Sequence, residues 1–409
     1  MTKTTAKKIT AALEPAIHWL NSIAAIKDNK PVGVHGHKMP IKYWNGAIRG
    51  EYKVASREWN CLCPVWHTGQ AVKALVMAAK TLNQPELLES ARFSAEFIMR
   101  NRVMDGADKG LILAYEDHPD KVNTSAILEC LDGLFHLSEA TGDMQYQQAA
   151  IDALHWVKNK AWNPQSRNFN DIYDTSKREF VFGVKGSQGR PLLDDAAFIQ
   201  GWQLTGDKQF KQIATAAAET LLQDENPPGS WIKYIPCSSE KGFIHPRHAY
   251  WWGMPMLEIY KATGDERYLQ CFFRSVNWYM QAMRRDGGII RQTYTDFNTE
   301  SFGHATSGTA CAVICFLKYY EHTGDRKILE YIEKGLDYCF KMQFTNPADP
   351  NLKGAILEKV LQPDGTDRSP YHIRDLGTIF FIQAACIYLE TEFARNIRQP
   401  EEAQTLSMS

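Results

Sequence analysis

Acid, base and ring-stacking side chains gather in six short windows of this 409-residue chain. The first places Trp66, His67 and Gln70 just after Cys63-Pro64. The second runs from Glu116, Asp117, His118 and Asp120 to Asn123 and Thr124. In the third, Arg190-Pro191 leads to the adjacent carboxylates Asp194 and Asp195. The fourth carries His245-Pro246-Arg247-His248 and then Tyr250, Trp251 and Trp252. Asn298-Thr299-Glu300 precedes His304 and Thr306 in the fifth, and Asp367-Arg368-Ser369-Pro370 precedes Tyr371, His372, Arg374 and Asp375 in the sixth. Six of the twelve histidines fall in these windows, more than scatter would place there. The mixture suits a sugar. Indole faces stack on sugar rings, carboxylates and histidines transfer protons, and an arginine pairs with a carboxylate through charge-assisted bonds. Glycosidic cleavage usually takes two carboxylates about 5–10 Å apart; Asp117 or Asp120 with Asp195 would supply them. A plainer role exists for each. Asp, Asn, Ser and Thr ahead of a helix are common caps, a description that fits Asp194 well, and Trp251 and Trp252 equally suit a core.

Competing chemistries find little support. The chain has no GxxxxGKS loop, no strand-borne GxGxxG, no HExxH and no GxSxG elbow. A net charge of −1 offers no basic footprint for nucleic acid. No run approaches the roughly 18 apolar residues that span a bilayer. The opening MTKTTAKKITAALEP is basic but has no apolar stretch, so it does not read as a secretory signal. Nine cysteines, an odd number, include Cys311 and Cys315 inside apolar runs; this fits reduced, buried thiols in a cytoplasmic protein. Cys61-Leu62-Cys63 lacks a second pair or a ligand-spaced histidine, so neither a metal nor another cofactor is expected.

The elements that must position the windows are marked by a repeated phrase. Thr-Gly-Asp stands at 141–143, 205–207, 263–265 and 323–325, at spacings of 64, 58 and 60 residues. A weaker copy begins at Thr81. A period of this length means one unit stacked repeatedly. Glycine ends a helix in the left-handed conformation, and aspartate caps the next one. Apolar residues at helical spacing flank each copy, as in Ile127, Leu128, Leu131, Leu134 and Phe135. Five hairpins follow: 66–82 with 85–101, 122–140 with 144–160, 194–204 with 208–223, 247–262 with 266–283, and 304–322 with 326–342. The terminal helices, 5–25 and 371–390, would pair as a sixth. Twelve helices in six hairpins make an all-α, single-domain (α/α)6 toroid over residues 1–390, with a polar tail at 391–409. An open solenoid would expose the terminal helices, and neither has the polar face of a cap. Small residues, extreme in Ser307-Gly308-Thr309-Ala310-Cys311-Ala312, assign the upstream helix of each hairpin to the inner ring. All inner helices then run the same way. The six windows meet at one mouth, and the Thr-Gly-Asp turns lie at the other.

With these residues in view, the chain resembles the six-hairpin glycosidases, particularly the unsaturated uronyl hydrolases acting on glucuronyl or rhamnogalacturonyl oligosaccharides. Asp120-Lys-Val-Asn-Thr-Ser-Ala-Ile-Leu resembles the Asp-containing start of their second inner helix. Leu192-Leu193-Asp194-Asp195-Ala-Ala-Phe198 is similar to the Trp-x-Asp-x-x-x-Met segment of the third. Thr306-Ser307-Gly308-Thr309-Ala310 matches the Thr-Ser-Gly-Thr-Ala of the fifth. The resemblance implies that Asp195, or Asp194 by a one-residue shift, protonates the ring double bond of an unsaturated sugar before water attacks, with Asp120 assisting. Two departures stand out. Arg-Gly-x-x-Trp becomes Arg247-His248-Ala-Tyr-Trp251, and His304-Ala305 replaces the glutamate before Thr-Ser-Gly. The N-acylglucosamine and cellobiose 2-epimerases are a second resemblance, through Pro246-Arg247-His248 and Tyr371-His372-Ile-Arg374; it implies paired histidines, although Trp251 stands where their glutamate is expected. A polysaccharide lyase using Tyr250 or a non-catalytic sugar-binding toroid would fit the same scaffold. The expected catalytic residues are Asp195, Asp194, Asp120 and His248. Trp66, His67, Asn123, Arg247, Trp251, His304, His372 and Arg374 are expected to bind substrate. The expected partner is an oligosaccharide, with no nucleic acid or membrane; a homodimer is the assembly allowed for.

Overall fold

A computed structural model describes residues 3–116, 118–299, 303–360 and 371–391. Twelve helices form the barrel. They are α1 Lys3–His18, α2 Pro64–Leu82, α3 Glu86–Arg100, α4 Thr124–Thr141, α5 Met144–Trp156, α6 Ala197–Thr205, α7 Lys208–Asp224, α8 Pro255–Thr263, α9 Glu266–Ala282, α10 Thr306–Thr323, α11 Leu329–Lys341 and α12 Asp375–Glu390. Even-numbered helices are inner and odd-numbered ones outer. The distinction follows from which faces are buried. Fourteen of the sixteen residues of α12 are buried. In α9 the buried set Tyr268, Leu269, Phe272, Val276 and Tyr279 marks one stripe. Inner helices approach closely through small residues. A Cβ on Gly69 of α2 would lie 2.4 Å from Cys130 Cα, and one on Gly133 of α4 would lie 2.1 Å from the Gly69 carbonyl.

Each residue of the Thr-Gly-Asp phrase has a task. Gly142, Gly206, Gly264 and Gly324 take φ of 68–75° as helix C-caps. Asp143, Asp207, Asp265 and Asp325 accept bonds from the amides two residues on. Each threonine donates to the carbonyl four residues back and accepts from the aspartate amide. A second joint works at the other mouth. After each of five outer helices, a glycine with φ near 90° or somewhat below presses on the next outer helix. Its added Cβ would sit 2.1–2.3 Å from a backbone carbonyl: Gly46 on Phe93, Gly110 on Asp152, Gly229 on Arg274, Gly287 on Lys334 and Gly354 on Pro15. The last of these joins the loop after α11 to α1, so the ring is closed rather than open. Trp19 Nε1 donates to the Asn351 carbonyl and Gln343 Nε2 to that of Ala12 across the same seam.

Loops at this mouth also cap inner helices. Asp171 accepts from the Ser125 amide at 2.9 Å, and Glu358 accepts from the Ser307 amide at 2.9 Å and from Ser307 Oγ at 2.7 Å. Each α4 or α10 N-terminus is thus capped by a carboxylate from the following hairpin's loop, about fifty residues away in sequence. This secures helix starts that carry no side-chain cap of their own.

Three helix starts differ from expectation. Residues 371–374 form a strand, not a first helical turn, because they pair antiparallel with Glu51–Lys53 in a four-stranded sheet. The third inner helix opens with a 3-10 turn at Asp194–Ala196, where Asp195 (φ 47°) and Ala196 (φ 53°) are left-handed. The fourth opens with a π turn at Ala249–Gly253 before Pro255 resets the helix. All nine cysteines are buried thiols. Among the described residues, no helix is long and apolar enough to cross a membrane.

Candidate active site

The N-terminal ends of the inner helices bring together Trp66, His67, Arg247, Trp251, Asn123, Asp194 and Arg374, and bury nearly all of them. Pro64 at the first helical position, after left-handed Cys63, starts α2 so that Trp66 and His67 occupy its first turn. The π turn at 249–253 holds Trp251 and follows directly on Arg247. The Arg247 guanidinium lies 5.5 Å from the Trp66 ring centre and 4.9 Å from that of Trp251. This double cation–π contact fixes the plane of the guanidinium. Among the described residues, Arg247 Nε and Nη1 nevertheless have no hydrogen-bond partner, and neither do Trp66 Nε1, Trp251 Nε1, Arg374 Nε and both amide atoms of the fully buried Asn123. Buried polar atoms are nearly always satisfied. Polar atoms of this kind, gathered at one mouth, could bond a polar ligand.

Charge divides this mouth in two. On the side of α4 and the Asp194 turn lie Glu129 and Asp194. Burial pushes the Asp194 carboxyl up to about 8, with Asp195 and Asp171 adding to the effect and Arg190 opposing it. Burial also raises Glu129 well above the usual range, and the charge of Asp194 adds to it. The two therefore act as one coupled pair of carboxyls that keeps a proton at neutral pH. Arg190, bonded to Asp171 at 2.8 Å, borders them. The opposite side is cationic. Arg291 is depressed to about 10 by burial, then by Arg374, with a further contribution from Arg247. His245 stacks on Trp251 with ring centres 5.1 Å apart, and is held neutral by burial and then by Arg247. His67 Nδ1 lies 2.7 Å from Asp375 Oδ1, and its ring meets the edge of Trp66.

Other expected residues stand elsewhere. Asp195 is neighbour to Asp194 in sequence only. The left-handed turn gives its carboxylate different company: Gln70 Nε2 donates at 2.7 Å, Lys73 Nζ at 3.0 Å and the Tyr250 hydroxyl at 3.0 Å. With both oxygens engaged in the barrel interior, it has the environment of a structural ion. Asp120 is exposed and ion-paired with Lys121 at 2.7 Å, so the loop carries it out of the mouth. His248 is wholly buried between the rings: Nδ1 and Nε2 lie 2.7 and 3.1 Å from the carbonyls of His245 and Gly229, the ring abuts Trp278, and burial lowers its pKa to about 4. The π turn that aims Arg247 and Trp251 inward turns His248 outward. His304 packs on Tyr338 and faces Asp286 at 3.4 Å, on the outer side of the rim. His372 belongs to the rim strand, opposite Lys53. Its side chain lies outside the described residues, as do Asp117, Glu300 and 367–370. Glu129, Arg291, Glu358 and the Asp375 partnership of His67 were missed in sequence. Glu129 alone left a signal, a glutamate inside the apolar run Ile127-Leu128-Glu129-Cys130-Leu131 of an inner helix.

No family model matches the chain. No curated protein matches it in sequence. Solved structures do match in fold. The cellobiose 2-epimerase from Bacillus thermoamylovorans superposes with a TM-score of 0.70 at 13% identity, over 95% of this chain and 100% of that one. An unsaturated glucuronyl hydrolase specific for heparin gives 0.68 at 13% identity, covering 94% and 97%. A D-mannose isomerase gives 0.62 at 11%, covering 93% and 96%. Both kinds of protein that the sequence resembles thus share its architecture, and the chain is an (α/α)6 barrel.

Proposed function

We propose that this protein cleaves a small oligosaccharide bearing a uronic acid, with Asp194 as the general acid. One observation carries the reading: a buried pair of carboxyls, Asp194 and Glu129, retains a proton at neutral pH within a mouth whose other side presents Arg247 between two tryptophans. A carboxyl pushed to about 8 is a donor at physiological pH. The Asp194 proton would pass to the ring double bond of an unsaturated uronyl residue, and water would then add to the cation so formed. Glu129 would take up the proton that water releases; the hemiketal so formed opens the ring, and the hemiacetal left at the anomeric carbon expels the next sugar as an alcohol, which breaks the glycosidic bond. Arg247 would pair with the substrate carboxylate through Nε and Nη1, while Trp66 and Trp251 contact the ring and Asn123 reads a hydroxyl. Of the two adjacent aspartates, this assigns the acid to Asp194 and leaves Asp195 as a structural anion.

The test is loss of double-bond absorbance near the ultraviolet edge during incubation with unsaturated uronyl disaccharides. The reading requires turnover that disappears in Asp194→Asn and persists in Asp120→Asn. The His67–Asp375 contact favours one other reading. A histidine whose Nδ1 is held by a buried carboxylate is equipped to move a proton at Nε2, as sugar epimerisation demands. No loss of absorbance, with solvent deuterium entering a reducing sugar in a His67-dependent manner, would replace hydrolysis with epimerisation.

A further inference from the structure

The Thr-Gly-Asp end of the barrel, expected to be inert, opens into a recess. Its inner chamber has a volume of about 280 Å³, with Lys73, Asp132, Asp195 and Tyr250 at its floor. Met77, Leu257, Ile314 and Ile387 form an apolar wall. An outer vestibule shares Met77, His136, Lys318 and Ile387 with this chamber and leads to solvent.

The floor is a closed charge network. Lys73 Nζ bridges Asp132 Oδ2 at 2.6 Å and Asp195 Oδ1 at 3.0 Å. His136 Nδ1 lies 3.3 Å from Asp132 Oδ1, and Gln200 Nε2 donates to the same oxygen at 2.8 Å. Although burial opposes it, Asp132 raises the affinity of His136 for a proton. With His136 charged, two cations balance two carboxylates. At the rim, Lys318 pairs with Glu321 and Glu258 with Lys261. Each of these charges lining the chamber therefore has a neighbour of opposite sign. Beside them stands a neutral acceptor: Gln383, fully buried and lining the chamber, has no partner for Oε1 among the described residues.

We propose that this recess is a second binding site, for a neutral polyhydroxy ligand of about one sugar ring. The paired charges of the chamber favour a neutral ligand over an ion. The apolar wall suits the C–H face of a ring, Gln383 Oε1 suits a hydroxyl donor, and the chamber, at about 280 Å³, lies just under the roughly 300–1,000 Å³ range of small-molecule sites, as a single-ring ligand requires. The site is separated from the opposite mouth by the Gln70, Gln383 and Asp195 layer, so it stands independently of the reaction proposed there.

Met77 and Met254 both line the chamber and serve as reporters. With 13C-methyl methionine, glucose or myo-inositol at millimolar concentration should shift these two resonances saturably, whereas glucuronate and glucosamine should not. Ile314→Trp, which fills the chamber, should abolish the shift of the Met254 methyl. Met77→Trp, which narrows the neck without entering the core, should weaken binding tenfold or more at Met254 if the first variant fails to fold. Arg247→Ala should leave the shifts intact. Methyl signals that move with neither neutral probe, that move equally with the charged ones, or that move undiminished in a folded Ile314→Trp protein would overturn the proposal.

Discussion

Replacing Asp194 with asparagine should move two quantities in opposite directions: turnover falls while stability at alkaline pH rises. The Asp194 carboxyl, ordinarily near 3.8, is pushed up to about 8, by burial first. A group whose folded pKa is raised stabilises the fold fully below its unfolded pKa, and that contribution is lost as pH climbs through the folded value. At about 1.4 kcal/mol per unit, a rise of roughly four units sets an upper bound of roughly 6 kcal/mol lost between about pH 4 and pH 8, divided between Asp194 and Glu129. Asparagine keeps the shape and cannot ionise. The variant should therefore match the wild type near pH 4 and exceed it by a few kcal/mol at pH 8. Urea denaturation followed by tryptophan fluorescence at several pH values reads this directly, and activity on an unsaturated uronyl disaccharide should drop by about 10²–10⁴. Parallel stability profiles for the two proteins would refute the claim that a protonated carboxyl is stored at this mouth. So would an alkaline profile on which the variant is the weaker.

Arg247→Lys should raise KM by roughly 10- to 100-fold, the equivalent of about 1.5–3 kcal/mol for a charge-assisted pair, with kcat less affected; equal KM would show that the guanidinium plane is immaterial. Gly354→Ala, whose Cβ would lie 2.1 Å from the Pro15 carbonyl at φ +90°, should cost several kcal/mol, whereas Gly142→Ala, with open space around it, should cost about 1 kcal/mol by denaturant titration. Comparable losses at the two sites would remove Gly354 as the ring-closing joint. Lys73→Met leaves Asp132 and Asp195 without their cation and should destabilise by about 3–5 kcal/mol at neutral pH. Burial favours the neutral form of Asp132, but Lys73 and His136 more than offset it and hold the carboxylate low. That stabilisation is present above the unfolded pKa, near 3.8, and is lost as pH falls below it, so the deficit of the variant should hold down to about pH 4 and shrink below it; a deficit unchanged below pH 4 would point to packing instead.

The barrel was legible because its joint is local. Glycine at φ near 70° and an aspartate bonding two residues ahead need only four consecutive residues, so every copy of Thr-Gly-Asp showed where a helix ends and the next begins. The glycine joint at the other mouth was not, since what demands Gly354 is the carbonyl of Pro15, far away in sequence. The same limit applied to the site. Window residues such as Arg247, Trp66 and Asn123 come to one mouth because inner-helix starts must converge. Whether a side chain follows its helix start into the mouth depends on a single peptide: the left-handed turn at 195–196 separates Asp194 from Asp195, and the π turn at 249–253 puts Trp251 inward and His248 outward.

By itself, then, the sequence determined the number, direction and order of the helices and the mouth where polar residues gather, because these follow from periodicity and short-range capping. Tertiary structure alone decided which carboxyl is buried beside Glu129, which is tied to Lys73 and which is left in water at Asp120. Those outcomes depend on desolvation and on partners from other hairpins, quantities that no spacing along the chain encodes. The Thr-Gly-Asp end shows the same division: its turns were readable, and the chamber behind them was not.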